Sequence, residues 1–224
     1  MPQVALEEFV TQVASGAALG SFPTDTVPAL AARPDQSDRI YALKDRPTGK
    51  PLILMGADLA DLLPYVVGTA AEIQTWQAVA AQYWPGALTL VLPASDRVPA
   101  AMNPQGTGTL GIRVPNHPLA RHLLARTGPL ATTSVNRSGQ PPLTQMTDIA
   151  AQFPQLLILA ESAMVFDRPL AIATLTDEIG PISIVASGSP STVVRWTGKG
   201  WEVLRQGAVR VMGSVRVDGF EGKG

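Results

Sequence analysis

Cysteine is absent from the 224 residues. That removes disulfides, thiolate nucleophiles and cysteine-ligated zinc together. Histidine is scarce as well, with only His117 and His122 in the chain. Five residues apart around an expected helix start, they are poorly spaced to ligate a metal from one helical face. Helix capping and surface exposure account for them. Nor is there a surplus of either charge. Lys and Arg number 17 against 18 acids, a net charge of −1, so no global field draws the chain toward nucleic acid or an anionic membrane. Any anion site must be local.

Hydrophobic residues make up 46% of the chain, yet no apolar run approaches the ~20 residues that a membrane helix needs. Asp58 and Asp61 interrupt the longest candidate, "PLILMGADLADLLPYVV". The opening "MPQVALEEFV" has two acids and no basic region ahead of an apolar stretch, so no signal peptide and a cytoplasmic address are expected.

Several nucleotide and nucleophile motifs are missing or misplaced. Gly49-Lys50 runs into Pro51 and Gly198-Lys199 into Gly200, so neither is a Walker A loop, and Gly-x-Ser-x-Gly does not occur. "GTGTLG", 106–111, matches G-x-G-x-x-G by letter. A strand ending in proline, "IRVP", follows it where a dinucleotide site needs a helix, so a flexible loop is the better reading.

What is present alternates between strands and helices. Leu6, Phe9, Val10 and Val13 form one helical face over 3–15, ended by Gly16. "ALGSFPT" reads as a strand, "SDRIYALK" as a helix with Ser37 a candidate cap, and "PLILM" as a strand buried on both faces. Thr69 and Glu72 form a capping box at the head of "AAEIQTWQAVAAQYW". Strands "ALTLVL" and "LGIRVP", helix "PLARHLLAR", strand "GPLATTS" and a helix near 147–153 follow. Next come "LLILA" and "PISIVAS", then a hairpin of "STVVRWT" with "WEVLRQ" across Gly198-Lys199-Gly200. The pattern predicts an α/β or mixed-sheet single domain over 1–207, with a flexible tail at 208–224.

Four loops beside predicted strands carry anion-binding groups. "FPTDTV" has Thr24, Asp25 and Thr26; "ALKDRPTGKPLIL" has Lys44, Arg46 and Lys50; "GIRVPNHP" has Arg113; "TTSVNRSGQPPLT" has Ser134, Asn136, Ser138 and Thr144. Each alone has an ordinary reading: a turn bonding its own backbone, a solvated surface or a polar loop. Loops at strand ends are where open α/β sheets bind ligands, which favours a shared site.

Lys-x-Arg (Lys44, Arg46) and Ser-x-Asn (Ser134, Asn136), with "PTDTV", "RPTGKPL", "YWPGALTLVLP", "IRVPNHPLA", "SVNRSGQPP" and "LRQG" in order, resemble the YrdC/TsaC family of threonylcarbamoyl-AMP synthases. The resemblance spans about residues 5–207 and is to the short, single-domain form. It implies a large twisted mixed β-sheet flanked by helices around a concave basic cavity. It also implies synthesis of threonylcarbamoyl-AMP and pyrophosphate from L-threonine, bicarbonate and ATP, a step toward tRNA threonylcarbamoyladenosine.

By the same resemblance, Lys44, Arg46, Ser134 and Asn136 are catalytic. Arg46, Lys50, Asn136, Thr144 and Arg205 bind ATP, and Thr26, Thr109, Arg113, Ser134 and Ser191 bind threonine. No protein metal site is implied, because the chain offers no carboxylate cluster; Mg2+ travels on the triphosphate. Partners implied are the three substrates, tRNA or double-stranded RNA, and downstream tRNA-modifying proteins, without a membrane.

Departures from the family pattern lie in the first loop, where Pro28 replaces an aromatic residue and Ala29 and Ala31 replace glycines, and at Arg195, where an acid is usual. Alanine does not take the φ > 0 conformations open to glycine, so the first loop is expected to differ. Two other readings stand beside the synthase: a paralogue with an altered acceptor or weak activity, and a non-catalytic RNA-binding protein using the same cavity.

Overall fold

The computed structural model describes residues 3–159 and 186–211. Its framework is a ten-stranded mixed sheet in the order β1-β8-β2-β3-β7-β4-β6-β5-β9-β10. The strands are β1 (Gln3–Val4), β2 (Gly20–Phe22), β3 (Ala29–Ala32), β4 (Ile53–Met55) and β5 (Leu88–Pro93). They continue with β6 (Thr109–Arg113), β7 (Leu130–Ser134), β8 (Leu157–Leu159), β9 (Thr192–Trp196) and β10 (Trp201–Arg205). The helices are α1 (Leu6–Ala14), α2 (Asp38–Lys44), α3 (Leu59–Leu62), α4 (Ala70–Tyr83), α5 (Pro118–Thr127) and α6 (Met146–Gln152).

The two-residue period of a strand sends alternate side chains into two cores. In β3, Leu30 and Ala32 join one core, with Ile40 of α2, Trp76 and Val79 of α4 and Ile149 of α6. Ala29 and Ala31 join the other, with Phe9 and Val13 of α1 and Leu123 and Leu124 of α5. Each large aliphatic or aromatic side chain so buried contributes roughly 1.5–3 kcal/mol. Helices on both faces explain why the central strands read as continuous apolar runs.

Local signals act as their chemistry suggests, with two exceptions. Thr69 and Glu72 cap each other at the head of α4: Glu72 N–H donates to Thr69 Oγ1 at 3.3 Å, and Thr69 N–H donates to the Glu72 carboxylate at 2.9 Å. β9 and β10 pair antiparallel, closed by Thr197 N–H donating to the Gly200 carbonyl at 2.9 Å. Ser37 does not cap α2. Its backbone is already right-handed helical, and its hydroxyl donates backward to the Pro34 carbonyl at 2.6 Å. Residues 3 and 4 form an edge strand on β8 rather than the first turn of α1, whose N-cap is Ala5.

The strand expected over "PISIVAS" lies mostly outside the described residues, as does the tail from residue 212. Among the described residues no helix is long and apolar enough to cross a membrane.

Candidate active site

α2 ends on a left-handed residue. Asp45, at φ 49° and ψ 48°, is the only non-glycine with positive φ among the described residues. It reverses the chain so that Arg46 N–H donates to the Tyr41 carbonyl at 3.0 Å. Aspartate is one of the few side chains that tolerate this conformation. The spacing of Lys-x-Arg follows: the two cations flank one tight turn at a helix C-terminus.

Lys44 turns inward and is 1% exposed. Its ammonium donates to the Ser134 carbonyl and, at 3.1 Å, to Asn136 Oδ1. Ser134 Oγ donates to the same Oδ1 at 2.6 Å. The other end of the Asn136 amide donates to the carbonyls of Arg137 and Gln140, each at 2.8 Å. All four polar directions of the amide are thereby matched, which sets its orientation. Gly139, at φ +84°, supplies the left-handed step that lets 137–140 close. Ser138 N–H donates to the Lys44 carbonyl at 3.3 Å, locking that loop onto the end of α2.

No carboxylate pairs with Lys44 among the described residues. Burial, reinforced by the nearby Arg46, pulls its pKa down from 10.5 to about 7. Its ammonium is solvated by two neutral oxygens and offset by no carboxylate among the described residues.

Arg46 is half-buried and braces its own loop, donating from Nε to the Lys50 carbonyl at 2.9 Å and from Nη2 to the Pro51 carbonyl at 3.1 Å. Lys50 is exposed on that loop. The Tyr41 hydroxyl lies 3.3 Å from both the Lys50 and Met102 carbonyls, joining this loop to the segment that leads into Thr109 at the start of β6. Thr109 is half-buried, with its hydroxyl 3.2 Å from that of Thr107. Thr144 is exposed on the far limb of the Asn136 loop, next to Leu143, whose N–H donates to the Val135 carbonyl at 2.8 Å.

The second group of residues forms around Arg113, at the end of β6. The guanidinium is 2% exposed and already engaged: Nη2 with Asp25 Oδ1 at 2.7 Å, Nη1 with Thr26 Oγ1 at 2.9 Å and Nε with the Gly86 carbonyl at 3.0 Å. Thr24 makes a turn of the same loop, its hydroxyl donating to the Val27 carbonyl at 2.7 Å. The altered positions that follow are not strained. Ala29 and Ala31 sit in extended β3, buried and paired on both sides, where glycine's freedom is not needed.

The two groups are linked through that strand. Ala29 pairs with Ser134, and Val135 N–H donates to the Pro28 carbonyl at 3.2 Å. The Thr24–Thr26 loop therefore enters the sheet directly beside Ser134. On its other side, Ser187 and Gly188 donate their N–H groups to the carbonyls of Asp25 and Thr26, each at 3.0 Å. This brings in Ser191, 4% exposed, whose hydroxyl meets that of Thr89 at 2.9 Å. Arg205 donates to the Ser191 carbonyl from Nε at 3.2 Å and Nη2 at 2.8 Å. Arg195, where an acid was the expected type, pairs across the hairpin with Glu202.

Sequence reasoning missed Asp45, the partnership of Asp25 with Arg113, and Thr89. Asp25 stood in a quoted motif, but its partner lies 88 positions away. A separate cavity of about 180 Å³, with Asp58, Gln77, Trp84, Pro85 and Arg121 among its walls, contains none of the predicted site residues.

The fold and site define a mixed α/β protein with a buried lysine gripped by a Ser-x-Asn loop. Residues 13–207 match the Sua5/YciO/YrdC family, which carries the description "Telomere recombination". The chain belongs to that family. It is 36% identical over 163 residues to the threonylcarbamoyl-AMP synthase of Chromohalobacter salexigens, covering 70% of this chain and 86% of that one. To the Bacillus subtilis threonylcarbamoyl-AMP synthase it is 39% identical over 152 residues, covering 62% and 42%. P. abyssi Sua5, solved with L-threonine, superposes with a TM-score of 0.72 at 28% identity, over 90% of this chain and 54% of that one. The chain thus spans about half the length of that protein. E. coli YciO shares the fold, at a TM-score of 0.68 and 23% identity.

Proposed function

We propose that this chain is an L-threonylcarbamoyladenylate synthase, a nucleotidyltransferase acting in the cytoplasm on the path to tRNA threonylcarbamoyladenosine. The observation that carries the reading is Lys44: a buried ammonium with no carboxylate partner among the described residues, held by the Ser134–Asn136 loop at the C-terminal end of the central strand β7.

The chemistry asks for such a place. The threonine ammonium first gives up a proton, and the free amine then attacks bicarbonate, giving a carbamate and water. A carbamate oxygen then attacks the α-phosphorus of ATP and pyrophosphate leaves. Two anions are driven together, so the site must supply positive charge and fixed donors. Lys44 and Arg46 would face the phosphates, with Lys50 on the exposed rim. The Ser134 hydroxyl, now bound to Asn136, would turn to the carbamate or the α-phosphate.

Thr26 holds the loop beside them, and Arg113 holds Thr26. The Arg113 fork is closed by Asp25 and Thr26, so contact with the threonine carboxylate would require that loop to shift. No group of three His or acidic residues suited to a metal occurs among the described residues. Mg2+ would arrive on the triphosphate, whose oxygens hold it.

The test is mass-spectrometric detection of threonylcarbamoyl-AMP, with threonine, bicarbonate and ATP omitted in turn. Product is expected only with all three present. Turnover that persists without threonine would replace this reading with a paralogue using another acceptor.

A further inference from the structure

Thr192 opens β9 and is 0% exposed. Its hydroxyl reaches off its own strand. It donates to the Val209 carbonyl and accepts from the N–H groups of Gly207 at 2.9 Å and Val209 at 3.2 Å. The Gln206 side-chain amide closes the same turn on the Val209 carbonyl at 2.6 Å. The chain leaving β10 is thus folded back across the start of β9. At the crossing, a Cβ on Gly207 would lie 2.2 Å from the Pro190 carbonyl oxygen, so no larger residue fits without parting the two backbones. Ala208 N–H donates to that same oxygen at 2.9 Å.

Arg205 immediately precedes the crossing. Its Nε and Nη2 rest on the Ser191 carbonyl, while Nη1 takes no part in that contact, and the residue is exposed. The other face of the same segment holds the Thr24–Thr26 loop through Ser187 and Gly188. Two guanidiniums therefore flank residues 187–192. Arg113 is buried and engaged; Arg205 is exposed, and among the described residues its Nη1 edge takes no hydrogen bond. They lie within electrostatic reach, since burial and then the charge of Arg205 count among the forces lowering the Arg113 pKa.

We propose that Thr192 is a positioning residue: with Gly207 it clasps the 205–209 segment onto β9 and so aims the open edge of Arg205 at the phosphates of a nucleoside triphosphate held beside the Thr24–Thr26 loop. The identity of that anion rests on the synthase reading above. The clasp itself rests on the contacts of Thr192.

Thr192→Val keeps the shape and removes the hydroxyl, and Thr192→Ser restores it. Calorimetric titration with ATP is expected to show about tenfold weaker binding for Thr192→Val, the order expected when a charge-assisted contact is misdirected, with Thr192→Ser within about twofold of wild type. The KM for ATP should rise with it while kcat changes by less than about twofold, because a loss of uniform binding leaves kcat unmoved. Amide exchange at Gly207 and Val209 should accelerate in the valine variant. Wild-type affinity with unchanged exchange in Thr192→Val would overturn the clasp.

Should Thr192→Val fail to fold, Gly207→Ala tests the same crossing, where a Cβ meets the Pro190 carbonyl oxygen: undiminished ATP affinity there overturns the proposal, and a similar loss with faster amide exchange at Val209 supports it. Wild type that binds ATP but forms no threonylcarbamoyl-AMP would remove the synthase reading, while the comparison of ATP affinities still decides the clasp.

Discussion

Lys44 and Asn136, 92 positions apart, meet at 3.1 Å with no carboxylate partner for the ammonium among the described residues. A buried cation solvated only by amide and carbonyl oxygens pays a desolvation cost that an incoming anion would offset. The pair therefore ties stability, protonation and ligand binding to one atom.

Stability should depend on pH through Lys44. Its pKa is about 7 in the folded chain against 10.5 when unfolded, so between those values the unfolded chain carries the extra proton. Stability is then lowest below pH 7 and rises toward pH 10.5, with a slope approaching about 1.4 kcal/mol per pH unit. Urea midpoints at pH 7, 8 and 9 should climb in wild type relative to Lys44→Met, which lacks this dependence. Parallel pH profiles would remove the perturbed lysine from the account. A bound triphosphate should restore the charged form, so that ATP binding at pH 8 takes up protons, read from calorimetry in buffers of different ionisation enthalpy.

Asn136→Asp would give Lys44 the carboxylate it lacks and place a negative charge where the proposed function puts phosphate. It also loses the two donations to Arg137 and Gln140. ATP affinity is expected to fall on the order of tenfold or more through like-charge repulsion. Unchanged binding would mean that the triphosphate lies elsewhere.

Asp45 sets the spacing of the two cations, and its left-handed backbone carries a cost. Asp45→Gly should raise stability by up to about 1 kcal/mol with activity kept, whereas Asp45→Val should lower it by about 1–2 kcal/mol and weaken ATP binding. Denaturant titration distinguishes them. Equal stability of the glycine and valine variants would contradict the αL turn.

Arg113 and Asp25 should behave as a coupled pair. Removing either leaves the other charge buried: Arg113 is 2% exposed and the Asp25 side chain 11%. Each single alanine substitution is expected to cost about 3–5 kcal/mol, and the double variant less than the sum. Additive losses in a double-mutant cycle would mean that the fork does not hold the Thr24–Thr26 loop.

Elements governed by neighbours in sequence were legible in advance. The Thr69–Glu72 capping box, the Phe9–Val10–Val13 face and the 192–205 hairpin each depend on contacts a few residues long. Ser37 shows the limit: a favoured cap residue lost that role because the preceding 3-10 turn already held it in helical conformation. Arg113 shows another. Its motif marked it as anion-binding, but which carboxylate fills its fork depends on a hairpin loop from far upstream.

Residue order alone determined that strands and helices alternate, that cations gather around a helix end, and that Ser-x-Asn follows a strand. Those features come from side-chain periodicity, proline and glycine punctuation, and capping chemistry, all acting over one or two turns. Tertiary structure alone decided that β8 inserts between β1 and β2, that Lys44 is buried against Asn136, and that Arg113 is closed by Asp25. The reason is physical: the strength of a charge or a hydrogen bond depends on how much water remains around it, and only the packing of distant segments removes that water.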